Sequence, residues 1–280
     1  MTIETVSLNR SHEGVQGVYK HASRETGTGM TNSAYVPPHQ DGAKLPVVWY
    51  LSGLTCTHAN VTEKGEFRET CAELGLVFVA PDTSPRGNVP GDPAGLYDFG
   101  LGAGFYVDAT QAPFDRNYRM WSYVIKELPE VVAEHFPADS GRQSILGHSM
   151  GGHGALTIAL SHPGRYRAAS AFSPIAAPSQ VPWGIKALGG YLGDDKAAWR
   201  KHDAVALIED GARVSDLLVD VGDADPFLKE QLRPELLEAA CAKAGIPLNL
   251  RLHGGYDHSY YFISTFMADH MRWHAARLQA

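Results

Sequence analysis

Cysteine is scarce in this chain: three in 280 residues, Cys56, Cys71 and Cys241, widely spaced and odd in number. That excludes a disulfide framework and fits reduced thiols. Positive charge is short as well, 24 Lys and Arg against 31 Asp and Glu, a net charge of −7. A nucleic-acid partner, which needs clustered cations, is therefore not expected. No stretch approaches the roughly 18 apolar residues of a membrane span. The opening Met1-Thr2-Ile3-Glu4-Thr5-Val6-Ser7-Leu8 has neither a basic segment nor a long apolar run, so no secretory signal, no membrane partner and a cytoplasmic location are expected. Internal repeats, low-complexity tracts and long linkers are missing too, and residues 1–280 read as one domain.

Two further absences bear on cofactors. His270 and His274 stand at i, i+4 spacing, but Met271 follows His270 where a zinc-protease helix carries Glu, so no metal is expected. Gly100-Leu101-Gly102-Ala103-Gly104 has no predicted strand leading into it and no Lys-Ser or Lys-Thr after it, which makes it a pocket-lining loop rather than a phosphate cradle. No cofactor is implied.

What is present is a sizeable core, with 44% hydrophobic and 20% charged residues. Thr2 to Leu8, Val15 to Ala22 and Met30 to Val36 mix β-branched and polar residues between turns, an antiparallel opening to a sheet. Strands are then expected at Pro46 to Leu51, Leu76 to Ala80, Gln143 to Leu146, Ala168 to Phe172, Leu217 to Val221 and Leu248 to Leu252. Helices are expected at Phe67 to Leu74, Tyr118 to His135, Met150 to Leu160, Leu228 to Ala244 and Tyr260 to Leu278, with Pro129 and Pro234 causing kinks or late starts. This alternation predicts an α/β fold with a mainly parallel sheet covered on both faces. The irregular stretch from Pro81 to Pro113 is the longest, and long loops in compact domains are often functional. Tyr260, Tyr261, Phe262, Phe266 and Trp273 on the last helix are read as packing residues.

The chemistry centres on Gly147-His148-Ser149-Met150-Gly151, a G-x-S-x-G pattern with a predicted strand before it and a helix after it. Such a turn lifts a serine hydroxyl clear of the backbone as a nucleophile. Serine is weakly nucleophilic at neutral pH and needs a histidine to take its proton and a carboxylate to orient that histidine. On α/β-hydrolases these follow in the order acid, then histidine. Asp223 and Asp225 both follow the Leu217 to Val221 strand, and spacing does not choose between them. His253 ends the last strand, and His258, just before the last helix, is the preferred base. Two backbone N–H groups should receive the oxyanion: Met150, next to the nucleophile, and Leu54, in the loop after the Pro46 to Leu51 strand.

Five phrases extend the pattern along the chain: Leu51-Ser52-Gly53-Leu54-Thr55-Cys56-Thr57, Ala80-Pro81-Asp82-Thr83-Ser84-Pro85-Arg86-Gly87, Gly102-Ala103-Gly104-Phe105-Tyr106-Val107-Asp108-Ala109-Thr110, Gly147-His148-Ser149-Met150-Gly151-Gly152-His153-Gly154 and Gly255-Tyr256-Asp257-His258-Ser259-Tyr260-Tyr261-Phe262. With them the chain resembles the S-formylglutathione hydrolase, or esterase D, family. That resemblance implies an α/β-hydrolase fold and a serine thioesterase that converts S-formylglutathione to glutathione and formate in formaldehyde detoxification. It maps the nucleophile to Ser149 and the histidine to His258. It maps the acid to Asp225, because Pro226-Phe227-Leu228 follows. The family's Pro-Trp-Gly phrase is present as Pro182-Trp183-Gly184, and its cysteine near the active site as Cys56, which makes Trp183 and Cys56 the substrate-pocket candidates. Around Asn88 to Tyr97 the chain departs from relatives that carry a tryptophan there. The implied partner is the small-molecule substrate, and a homodimer is compatible with this reading. Competing readings are a broad carboxylesterase, an acyltransferase and a non-catalytic scaffold on the same fold.

Overall fold

The computed structural model describes residues 2–93 and 95–279. Three strands, β1 (Glu4–Ser11), β2 (Gly14–Ala22) and β3 (Gly29–Val36), run antiparallel as expected. The chain continues through β4 (Leu45–Leu51), helices α1 (His58–Lys64) and α2 (Arg68–Leu74), and β5 (Val77–Pro81). After a long irregular stretch come a short turn α3 (Met120–Ser122), α4 (Leu128–His135), β6 (Ala138–His148), α5 (Met150–Ser161) and β7 (Ala169–Phe172). Then follow α6 (Pro182–Leu192), α7 (Lys196–Arg200), α8 (Ala204–Glu209), β8 (Leu217–Gly222), α9 (Pro234–Ala244), β9 (Leu248–His253) and α10 (Tyr260–Leu278).

Among the described residues the strands form one sheet in the order β1-β2-β3-β5-β4-β6-β7-β8-β9, parallel from β5 to β9. This is the α/β-hydrolase arrangement the sequence predicts. β4 shows why both faces must be covered. Val47, Trp49 and Leu51 point into one apolar layer and Val48 and Tyr50 into the other, the period-2 alternation of a strand buried on both sides. Helix α5 fills the first layer with Leu156 and Ile158, together with α4 and α9; α1, α2 and α10 cover the second with Val61, Cys71, Met267 and Met271. Ligand sites in such sheets lie beyond the carboxyl ends of the strands. The loops after β4, β6, β8 and β9 all emerge at that edge.

Several expected elements differ. The helix expected over Tyr118 to His135 is present as one uninterrupted run from Met120 to His135, in which a π-helical turn at Tyr123–Glu127 separates α3 from α4. Pro129 is the cause: it has no N–H for the Ile125 carbonyl, which instead accepts from the Arg165 guanidinium. The helix expected from Leu228 likewise splits into a π-helical turn, Leu228–Leu232, and α9, which opens with Pro234 after Arg233 in the left-handed conformation. Strand β6 begins five residues earlier than expected, because Ala138 and Asp139 pair with Leu45 and Pro46. Helices α1, α6, α7 and α8 were not anticipated. His270 and His274 are buried and both hydrogen-bond Ser170 Oγ, at 2.8 and 2.7 Å. Tyr261 departs from its assigned packing role, with 86% of its surface exposed.

Candidate active site

Ser149 sits between β6 and α5 with φ 57° and ψ −118°, a sparsely populated conformation that costs free energy and persists only where the surroundings impose it. Here its N–H donates to Phe172 O at 2.9 Å and its carbonyl accepts from His153 N at 2.9 Å. The glycines of the motif are needed for close approach. A Cβ on Gly147 would stand 2.1 Å from Gly151 O, and one on Gly151 would stand 1.9 Å from Leu51 O. The first turn of α5 therefore rests directly on the end of β4.

The candidate partners of Ser149 differ in their contacts. Asp225, just after β8 and 5% exposed, accepts from Phe227 N at 2.9 Å through Oδ1 and lies 2.5 Å from His258 Nδ1 through Oδ2. An ionised carboxylate only accepts, so Nδ1 carries the proton and Nε2 is left as the basic nitrogen. Asp223 instead accepts from Gly255 N at 2.6 Å, tying the two loops together. His253 lies 3.1 Å from the buried Asp220 and stacks on Phe266, away from the serine.

Ser149 and His258 line one pocket of about 210 Å³ with Leu54, Thr55, Tyr97, His148, Trp183 and Phe227. Trp183 packs on Phe227 at 4.6 Å, and Phe227 meets His258 edge to face at 5.1 Å. The Trp183 backbone N–H donates to Gln231 Oε1 at 3.0 Å, so the π-helical turn after Asp225 anchors the Trp183 wall. His148 is buried with its ring 4.5 Å from that of His258; burial, then the neighbouring imidazole, hold its pKa well below the usual histidine value. It stays neutral and adds no second positive charge when His258 takes up a proton. Larger clefts occur elsewhere, one of about 600 Å³ beside Tyr261 and Lys64. That cleft has no histidine in its lining, and side-chain chemistry rather than volume makes the pocket at Ser149 the candidate site.

The oxyanion candidates come from two elements. Met150 is the first residue of α5, where N–H groups lack intrahelical acceptors. Leu54 lies in the loop from β4 to α1, whose end is set by Thr57, the N-cap of α1, in a capping box with Asn60. Thr55 N donates to Gly102 O at 2.9 Å and Cys56 N to Gly53 O at 3.3 Å; no hydrogen bond engages Leu54 N among the described residues.

Two expectations need correction. Cys56 is buried, which pushes its thiol pKa up, and it is not among the residues lining this pocket. The Gly100 to Gly104 segment does not line the pocket either; it stands one layer behind, bracing Thr55 through Gly102. Tyr97, Phe227, His148 and Thr55 form walls the sequence reading had not assigned. The adjacency of Phe227 to Asp225 and of His148 to Ser149 was the available signal.

Comparison with known proteins extends this picture. The family described as "Putative esterase" matches residues 23–273. An S-formylglutathione hydrolase of Paracoccus denitrificans (strain Pd 1222) is 54% identical over 279 residues, covering 99% of both chains. One from Mus musculus is 49% identical over 284 residues, covering 100% of both. The solved structure of an S-formylglutathione hydrolase from Agrobacterium tumefaciens is 56% identical and covers 98% of this chain and 99% of its own, with a TM-score of 0.96.

Proposed function

The chain belongs to the S-formylglutathione hydrolase family of esterases, and on that footing we propose that it hydrolyses S-formylglutathione to glutathione and formate, the step that completes formaldehyde detoxification. The observation that carries the assignment of roles is the 2.5 Å contact between His258 Nδ1 and Asp225 Oδ2 beside a pocket shared by His258 and Ser149. In this reading His258 Nε2 takes the proton of Ser149 Oγ as the oxygen attacks the formyl carbon. The Leu54 and Met150 N–H groups receive the carbonyl oxygen as it becomes an oxyanion. Collapse of the tetrahedral intermediate breaks the C–S bond. A thiol of pKa about 8.5 leaves more readily than an amine, so this step depends less on acid assistance than amide cleavage does. His258 passes the serine proton to the departing sulfur; water then attacks the formyl-serine, His258 takes its proton, and that proton returns to Ser149 Oγ as formate departs.

The pocket is smaller than the roughly 300 Å³ at which sites for drug-sized ligands begin. It suits a one-carbon acyl group at Ser149, with the tripeptide lying outside over Tyr97 and Trp183. We place this activity in the cytoplasm: Cys56, Cys71 and Cys241 are all buried and unpaired, as in a reducing compartment. No described helix is long and apolar enough to cross a membrane. A single domain over 1–280 remains part of the proposal.

The test is kcat/KM for S-formyl-, S-acetyl- and S-lactoylglutathione and an aryl acetate, each corrected for its hydroxide rate. If the acyl subsite within that pocket is close-packed around a formyl group, one added methyl costs about 1–3 kcal/mol, or roughly one to two decades of rate. Equal corrected values for formyl and acetyl thioesters would point instead to a general carboxylesterase.

A further inference from the structure

The loop that carries Leu54 is held from outside by the carboxyl end of β5. Thr83 Oγ1 and Arg86 Nη2 both donate to the Cys56 carbonyl, at 2.6 and 2.9 Å, and Arg86 Nη2 also lies 3.2 Å from Thr83 Oγ1. Arg86 Nε lies 3.4 Å from Asp82 Oδ2. The other oxygen of Asp82, a residue 3% exposed, accepts from His58 N at 3.2 Å and lies 3.0 Å from His58 Nδ1 at the start of α1. On the loop's far side Thr55 N is fixed by Gly102 O, and Gly102 N by Ser84 Oγ at 2.9 Å. The loop thus has its carbonyl clamped at Cys56, its N–H clamped at Thr55, and its exit clamped at His58. Leu54 alone keeps its N–H free among these positions.

External clamping matters because the loop does not rest in a relaxed geometry. Thr55 has φ 66°, in the left-handed region that a β-branched residue disfavours. An oxyanion donor works only if it is already aimed, about 2.7–3.1 Å from where the oxygen will be. The planar guanidinium of Arg86 addresses the Asp82 carboxylate and the Cys56 carbonyl from one rigid group, which a lysine cannot do. Cys56, near His58 and Asp82, is no second nucleophile, because burial raises its thiol pKa rather than activating it as a thiolate.

We propose that Arg86, paired with Asp82, and Thr83 are positioning residues for the hydrolysis: Arg86 and Thr83 fix the Cys56 carbonyl and thereby aim the Leu54 N–H into the pocket. This rests on the reading of Leu54 as an oxyanion donor at Ser149.

The experiment compares Arg86→Gln, Arg86→Lys and Thr83→Val with the unaltered protein, using kcat and KM for S-formylglutathione, inhibition by phenylboronic acid and inhibition by glutathione. Phenylboronic acid bonds Ser149 Oγ to boron and passes the serine proton to His258, giving a tetrahedral anion. Glutathione reports binding without an oxyanion. In Arg86→Gln, kcat should fall about ten- to hundredfold, boronate inhibition should weaken by the same factor, and KM and glutathione inhibition should change by less than about threefold. Arg86→Lys should recover part of the loss, and Thr83→Val should lose less than about tenfold in the same two readouts. Folded Arg86→Gln with unchanged kcat and boronate inhibition, or with KM alone raised, overturns the proposal. If Arg86→Gln does not fold, Arg86→Lys and Thr83→Val decide by the same parallel loss or its absence. The underlying reading fails separately, if Ser149→Ala keeps its turnover; an inactive Ser149→Ala beside unaffected Arg86 variants sinks only this proposal.

Discussion

The Trp183 indole N–H donates to the Tyr97 hydroxyl at 3.1 Å, and the two rings meet edge to face with centroids 6.3 Å apart. One turn along α6, Lys186 Nζ pairs with Asp98 Oδ1 at 2.5 Å. The long irregular segment after β5 is therefore pinned to α6 beside the pocket by two adjacent side-chain contacts. A neutral hydrogen bond contributes about 0.5–1.5 kcal/mol. Tyr97→Phe should accordingly raise KM for S-formylglutathione roughly two- to tenfold and leave kcat within about twofold. A fall in kcat at constant KM would instead place Tyr97 in the chemistry.

If the three act as one unit, as proposed, Ser149→Ala and His258→Ala should each lower kcat by about four decades or more, and Asp225→Asn by about two to four. Asp223→Asn should stay within about threefold, since that carboxylate only ties the β8 loop to Gly255. Circular dichroism and thermal melts verify folding. A crippled Asp223→Asn beside a near-normal Asp225→Asn would reverse the assignment of the acid.

Gly151→Ala forces a Cβ to within 1.9 Å of the Leu51 carbonyl, backbone against backbone with no flexible atom to yield. Destabilisation of about 3 kcal/mol or more is expected, which lowers Tm by roughly 6–12 °C at about 2–4 °C per kcal/mol. Gly255 has φ 79° but nothing within 4 Å of an added Cβ. Gly255→Ala should lose only about 1–2 kcal/mol, from the left-handed backbone alone. Melting curves of the two variants rank these effects directly.

Acid stability follows from the buried imidazoles. His153 is held down to about 4 by burial, against the Phe105 carbonyl, which raises it; His202 is held down to about 3 by burial and then by His153 and Lys201. In the unfolded chain both titrate near 6.5, so below that pH the unfolded state binds more protons. Their contribution is fully present above about pH 6.5 and is lost as pH falls toward 4 and 3. Asp220 adds a second limb: burial raises it, but the neighbouring His270, 3.4 Å away, and the two hydrogen bonds donated by Arg251, at 2.6 Å each, outweigh this and hold it at about 2. That contribution is lost between about pH 4 and 2. Tm should be flat above about pH 7 and fall steadily below 6.5. A His202→Gln variant that still folds should flatten the upper part of the fall; an unchanged slope would remove His202 from the account.

Local pattern made much of this protein legible. Strong apolar strands such as Pro46 to Leu51, the glycines around Ser149 and the alternation of strands with helices announced the parallel sheet and the tight strand-to-helix turn at Ser149, because each depends on near neighbours in the chain. Helices α7 and α8, of five and six residues, are too short to display a 3.6-residue period, and their buried faces are defined only by packing. Spacing alone left Asp223 and Asp225 level, and the family resemblance was needed to prefer Asp225. In the fold, the β8 and β9 loops converge so that Asp225 meets His258 across 33 residues while Asp223 meets a backbone N–H. The same holds for the contacts of Thr83 and Arg86 with the Cys56 carbonyl, and for Tyr97 on Trp183, 86 residues apart. Residue type and short spacing express local backbone preference; which distant side chains share a few ångströms is decided only when the sheet brings the ends of its strands to one edge.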